Sequence, residues 1–80
     1  MQVTEIDNHA VEVRNVSGIT KKENVMLIPL GFAAFTECHK EWTTGKSVQH
    51  AFPTLNADQR EFLLSGMTPE EWDATFGKED

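Results

Sequence analysis

The hydrophobic pattern of this chain changes period at Pro29-Leu30-Gly31, and that change limits what it can become. Before it, apolar residues come in short, β-rich stretches. After it, Phe32, Phe35, Cys38 or His39, and Trp42 recur at the three- and four-residue spacing of one helical face. A chain of 80 residues has room for one core. The expectation is therefore a single α+β domain over 1–80, with a β-rich part at 1–30 and a helical part at 31–80, in which a small antiparallel sheet of two or three strands is covered by helices.

Within the first part, Val3 and Ile6 in "QVTEI" and Val11 and Val13 in "VEVRNV" flank the turn residues Asp7-Asn8-His9, which predicts a hairpin. "NVSGITKKEN" is a polar connection. The uninterrupted run Val25 to Ile28 then suggests a strand covered on both sides, with Pro29 ending it.

The helical part is punctuated by residues suited to starts and stops. A helix is expected over 31–44, with Gly45 left-handed after its last turn. Ser47 caps a short turn on which Val48 and Phe52 face the same way, and Pro53 stops it. Asn56 and Gln59 form a capping box for a helix over 57–65 that ends at Gly66. Thr68, Pro69 and Glu71 repeat that start for a helix over 69–76: Thr68 as N-cap, Pro69 at the first position, and Glu71 bonding back. Met67 and Trp72 stand at the positions of a hydrophobic staple. Glu70 and Glu71 lie at the positive end of the helix dipole, and Trp72 and Phe76 share a face.

Consecutive Phe62, Leu63 and Leu64 sweep about 200° of helix circumference, since successive residues turn by about 100°. Either this helix is central to the domain, or part of the arc meets another chain. Phe62, Leu63 and Leu64 are accordingly candidate partner-binding or dimer-forming residues.

Charge points toward a protein partner. The formal charge is −6, and it is uneven: residues 1–40 carry four Lys/Arg against five Asp/Glu, while residues 41–80 carry three against eight. An acidic surface repels phosphate and favours a basic protein over direct nucleic-acid contact. Glu70, Glu71 and Asp73 are the acidic candidates. Spaced like phosphates along one surface, they could instead imitate a nucleic acid.

Catalytic and metal chemistry find little support. One cysteine, Cys38, excludes an internal disulfide and fits a reducing compartment. Cys38 and His39 are adjacent and diverge on a helix, and His9 and His50 complete no C-x-x-C or H-x-x-x-H pair. Glu70 and Glu71 neighbour each other at a helix start rather than facing across a cleft. The glycines stand singly, with no phosphate-cradling loop. Residues 1–20 contain no apolar run of the kind a signal peptide or membrane span requires, so a cytoplasmic, non-enzymatic protein without cofactor or metal is expected.

From Trp42 the chain reads "WTTGKSVQHAFPTLNADQREFLLSGMTPEEWDATFG". This resembles a group of small, mostly uncharacterised bacteriophage and prophage proteins whose C-terminal half runs W-x-x-G-x-x-x-Q-x-A-F-P-x-L-x-x-x-x-R-E-x-L-x-S-G-x-C-P-x-C-W-D-x-x-F. Trp42, Gly45, Gln49, Ala51, Phe52, Pro53, Leu55, Arg60, Glu61, Leu63, Ser65, Gly66, Pro69, Trp72, Asp73 and Phe76 carry the match. The resemblance implies phage origin and brings no activity with it. In cysteine-bearing members the C-P-x-C pair resembles half of a zinc site. Here Thr68 and Glu71 stand there, which implies a metal-free variant whose capping box does the positioning. A host or antiviral-defence protein is the expected partner.

Overall fold

The computed structural model describes residues 1–77; residues 78–80, whose charges enter the count above, lie outside them. Three strands, β1 (Gln2–Asp7), β2 (Ala10–Val16) and β3 (Glu23–Ile28), form one antiparallel sheet in the order β1-β2-β3. Four helices follow: α1 (Phe32–Thr43), α2 (Val48–Ala51), α3 (Ala57–Ser65) and α4 (Pro69–Phe76). The α+β architecture expected from the change of period is the one observed.

Each boundary has a local cause. Asp7 Oδ1 accepts from His9 N at 2.7 Å and closes the β1–β2 turn. Between β2 and β3 the buried Ser17 hydroxyl accepts from Ile19 N and Thr20 N at 3.1 and 3.2 Å, so the connection is organised from within. Ser47 caps α2, and Asn56 and Gln59 close a complete capping box on α3. Gly66 ends α3 in the left-handed region at φ 78°, and a side chain there would run into the Val16 carbonyl. Both its φ and the close approach of β2 demand glycine.

Alternation places Val3 (β1), Val11 and Val13 (β2), and Met26 and Ile28 (β3) on the face that the helices cover. α1 packs over β1 and β2, and α3 over β2 and β3. The core is completed by Phe35, Ala51, Phe52, Leu55, Phe62 and Leu63. Phe52 sits at its centre, 5.4 Å from the ring of Phe35 and 5.8 Å edge-on from Trp42. Each buried Val, Leu, Ile or Phe side chain of this core contributes about 1.5–3 kcal/mol by leaving water.

The expectation of a β3 covered on both sides is overturned. Val25 is 44% and Leu27 60% exposed, because all the helix packing falls on one face of the sheet. On the open face Arg14 lies between Glu12 and Glu23 at 3.9 and 3.5 Å. The apolar run is a one-sided strand whose outward positions also happen to be apolar.

At the end of the sheet, alternation brings the register partners Asn15 and Asn24 onto the covered face, where their neighbours are apolar. Asn15 Nδ2 donates to the carbonyls of Phe62 and Leu63 at 3.1 and 3.4 Å, and Asn24 Nδ2 to the carbonyl of Gly66 at 2.8 Å. Gly18 N adds a bond to the Ser65 carbonyl at 2.9 Å. The last carbonyls of a helix have no partner within it, and here the sheet supplies the donors.

Candidate functional site

Phe62 and Leu63, two of the candidate contact residues, belong to the core and are withdrawn from any partner. Leu64, one position on, is 55% exposed. The 200° arc is thus divided: its first two residues are covered by the sheet and α2, and its third faces outward. α3 is central to the domain, as one of the two alternatives held. Corrected accordingly, only Leu64 of this trio is available for contact.

Leu64 stands on the rim of a cleft of about 330 Å³ between α1 and α3, with Asn15, Trp42 and Leu63 in its lining. A smaller cleft of about 190 Å³ lies between β1 and α1, beside Val3 and Phe32. His39 lines both, stacked on Phe35 at 6.1 Å and edge-on to Trp42 at 5.9 Å. The clefts have the size and apolar character for a side chain. They bring no acid, base and nucleophile together.

α4 differs from the other three helices, since it buries none of its residues. Trp72 and Phe76, one turn apart, lie against each other with ring centroids 4.5 Å apart, yet are 42% and 58% exposed. At about 100° per residue Asp73 falls beside this ridge, whereas Glu71 and Glu70 lie about 120° and about 140° round the helix from it, Glu71 half-buried and Glu70 exposed. Met67, at the staple position before the cap, is buried, and the ring contact of Trp72 is with Phe76.

Glu71 is where the expected helix start changes. Thr68 Oγ1 accepts from Glu71 N at 3.2 Å, the forward half of the box. The Glu71 carboxylate, however, accepts from Thr20 Oγ1 at 2.8 Å and from Asn24 Nδ2 at 3.0 Å. It latches α4 to the β2–β3 connection instead of closing the box as at α3. Partial burial alone would raise its pKa, but hydrogen bonds from the Thr20, Asn24 and Ser17 side chains outweigh this and lower it, with the Thr68 amide contributing least.

Glu70, Glu71 and Asp73 therefore do not act as one acidic row: Glu71 is used inside the fold, Asp73 borders the aromatic ridge, and Glu70 is exposed on another side of the helix. Cys38 packs partly buried against the core, and its thiol is pushed up by burial, then by Glu41 and Glu37, against an opposing effect of Lys46. His50 Nδ1 lies 2.9 Å from the Ser47 hydroxyl. Among the described residues no three His, Cys, Asp or Glu side chains are placed to hold a metal ion, and no helix is long and apolar enough to cross a membrane.

Thr20, Asn24 and the exposure of the aromatic pair escaped the sequence reading. One signal was present: Asn15 and Asn24 continue the inward alternation of Val11-Val13 and Ile28-Met26, and a polar pair at such positions needs buried partners. Comparison with protein-family models, with curated proteins and with solved structures gives no match.

Proposed function

We propose that this chain is a non-enzymatic binding protein that grips another protein through the outward face of α4. From the resemblance of residues 42–76 to phage and prophage proteins, we take that partner to be a host or antiviral-defence component met in the cytoplasm. The observation that carries the proposal is the Trp72–Phe76 pair, exposed on a helix that contributes nothing to the core. Aromatic residues dominate the energetics of interfaces, and an eight-residue helix is marginal without packing on its apolar face. A partner over the ridge supplies that packing.

Nucleic-acid mimicry is less well supported. It needs carboxylates in an outward row, whereas Glu71 is bonded to Thr20 and Asn24. Self-association has one specific observation in its favour, the exposed Leu64 on the rim of the α1–α3 cleft. Light scattering at two concentrations decides it, since a strictly monomeric protein at the higher concentration removes that reading.

The test of the main proposal is affinity purification with mass spectrometry from host or infected cells. The wild-type chain is compared with a Trp72→Ala/Phe76→Ala variant shown by circular dichroism to be folded. A partner captured by the first and lost by the second supports the proposal. Capture that is indifferent to the two substitutions, or no specific partner with folded bait, overturns it.

A further inference from the structure

We propose that α4 is a latched arm: it opens from the domain as a unit, hinged after Met67, and the Glu71 carboxylate is the latch that holds it shut. This property belongs to the helix itself and holds whether or not the Trp72–Phe76 ridge meets a partner.

Contact between α4 and the domain stops early. Thr68, Pro69 and Glu71 are half-buried, whereas Glu70 and every residue from Trp72 to Gly77 are exposed. The helix touches the domain through its first turn and projects beyond it. Opening therefore takes little apolar surface out of the core and sacrifices little hydrophobic stabilisation. Once released, eight residues are too few to persist as a helix in water, so undocking and unravelling are one event.

The fixed side of the hinge is equally well marked. Gly66 is buried in the left-handed region with the Val16 carbonyl against it, and Met67 is buried behind it. The Asn24 amide has two hydrogens, and Nδ2 donates both to the Gly66 carbonyl at 2.8 Å and to Glu71 Oε1 at 3.0 Å. Breaking the second bond leaves the first in place. α3 and Met67 thus stay fastened to the sheet while the chain beyond them is free to turn.

Across that hinge the bonds converge on one side chain. Glu71 Oε2 accepts from Thr20 Oγ1 at 2.8 Å while Oε1 accepts from Asn24, and a bond to an ionised acceptor is stronger than a neutral one. The ridge keeps one orientation only while these bonds are made. Asp73 has an interaction of its own, and Asp73→Asn therefore serves as the comparison.

The test is amide hydrogen exchange on the full, ¹⁵N-labelled chain, followed by NMR across a series of urea concentrations too low to unfold it. The α4 amides are expected to exchange at least about tenfold faster than those of α3, and almost independently of urea, because the opening exposes little surface. The α3 amides are expected to follow urea steeply, as global unfolding does. Thr20→Val and Glu71→Gln, which weaken the latch from either side, are each expected to raise α4 exchange by roughly three- to tenfold. Ile28→Val, a change in the core, is expected to raise α3 exchange by roughly two- to tenfold and to leave α4 exchange where it was.

α4 amides that follow urea as steeply as those of α3, or that quicken with Ile28→Val, would overturn the arm. α4 exchange unmoved by both latch variants, or moved more by Asp73→Asn than by either, would overturn the assignment of the latch to Glu71. None of these outcomes bears on partner capture by the ridge, which is read separately.

Discussion

α3 and α4 begin with the same local grammar and end in opposite circumstances. In α3, Asn56 Oδ1 accepts from Gln59 N at 2.8 Å and Gln59 Oε1 from Asn56 N at 2.9 Å. In α4 only the forward bond is made at hydrogen-bond distance, and the residue that should return it turns to Thr20 and Asn24. α3 carries Phe62 and Leu63 into the core, whereas α4 carries its aromatic residues on the surface. A start signal sets where a helix begins. It does not set what the helix packs against, because the third side chain bonds whichever donors the fold brings closest.

The largest effect that separates the two helices is expected from Phe62→Ala. Losing a fully buried aromatic in a core of this kind costs about 3–5 kcal/mol. A domain of this size has a total stability of about 4–12 kcal/mol, so chemical denaturation should show a large drop in midpoint or an unfolded chain. A variant as stable as wild type would mean that α3 is not the centre of the fold.

Next come the caps. Asn56→Ala removes a closed box and should cost about 0.5–2 kcal/mol in the same denaturation experiment. Thr68→Ala should cost less, because α4 is also held by Glu71. Equal losses would mean that the two starts are energetically alike despite their different bonding.

Glu71→Gln sharpens the comparison through pH. The folded-state pKa of Glu71 is lowered, so its stabilising effect is present above the ordinary carboxylate range near 4.5 and is lost as pH falls through the lowered value. Thermal melts of wild type should therefore lose stability on acidification across that range, and Glu71→Gln should show a shallower loss. Identical pH profiles would show that the latch carries no charge-dependent stability.

The smallest stability effect is expected for Trp72→Ala, within about 0.5 kcal/mol, as for exposed residues away from the core. Its melt should overlay that of wild type while partner capture is lost. A large destabilisation would place the ridge in the fold rather than at an interface.

Much of the fold was legible because its signals are local. Gly45, Ser47, Asn56, Gly66 and Thr68 act on neighbours within a few residues, and the expected helices over 57–65 and 69–76 are those observed. Val11 and Val13 identified the inward face of β2 by alternation alone. The candidate site was legible only in part. Leu64, Glu70 and Asp73 are exposed as a contact surface requires, but Phe62 and Leu63 are spent on the core and Glu71 on the latch. An apolar residue on a helix reads the same whether the sheet or a partner covers it.

By itself the sequence determined the change from strands to helices, the helix ends and the acidic imbalance of the C-terminal half, since periodicity, capping and charge act locally or simply add. Tertiary structure decided which face of β3 stays open, which residue of the 62–64 arc remains outside, and where the Glu71 carboxylate finds its donors. Those outcomes depend on groups about fifty residues apart in the chain, such as Thr20 and Glu71, whose meeting follows from how α3 docks on the end of the sheet.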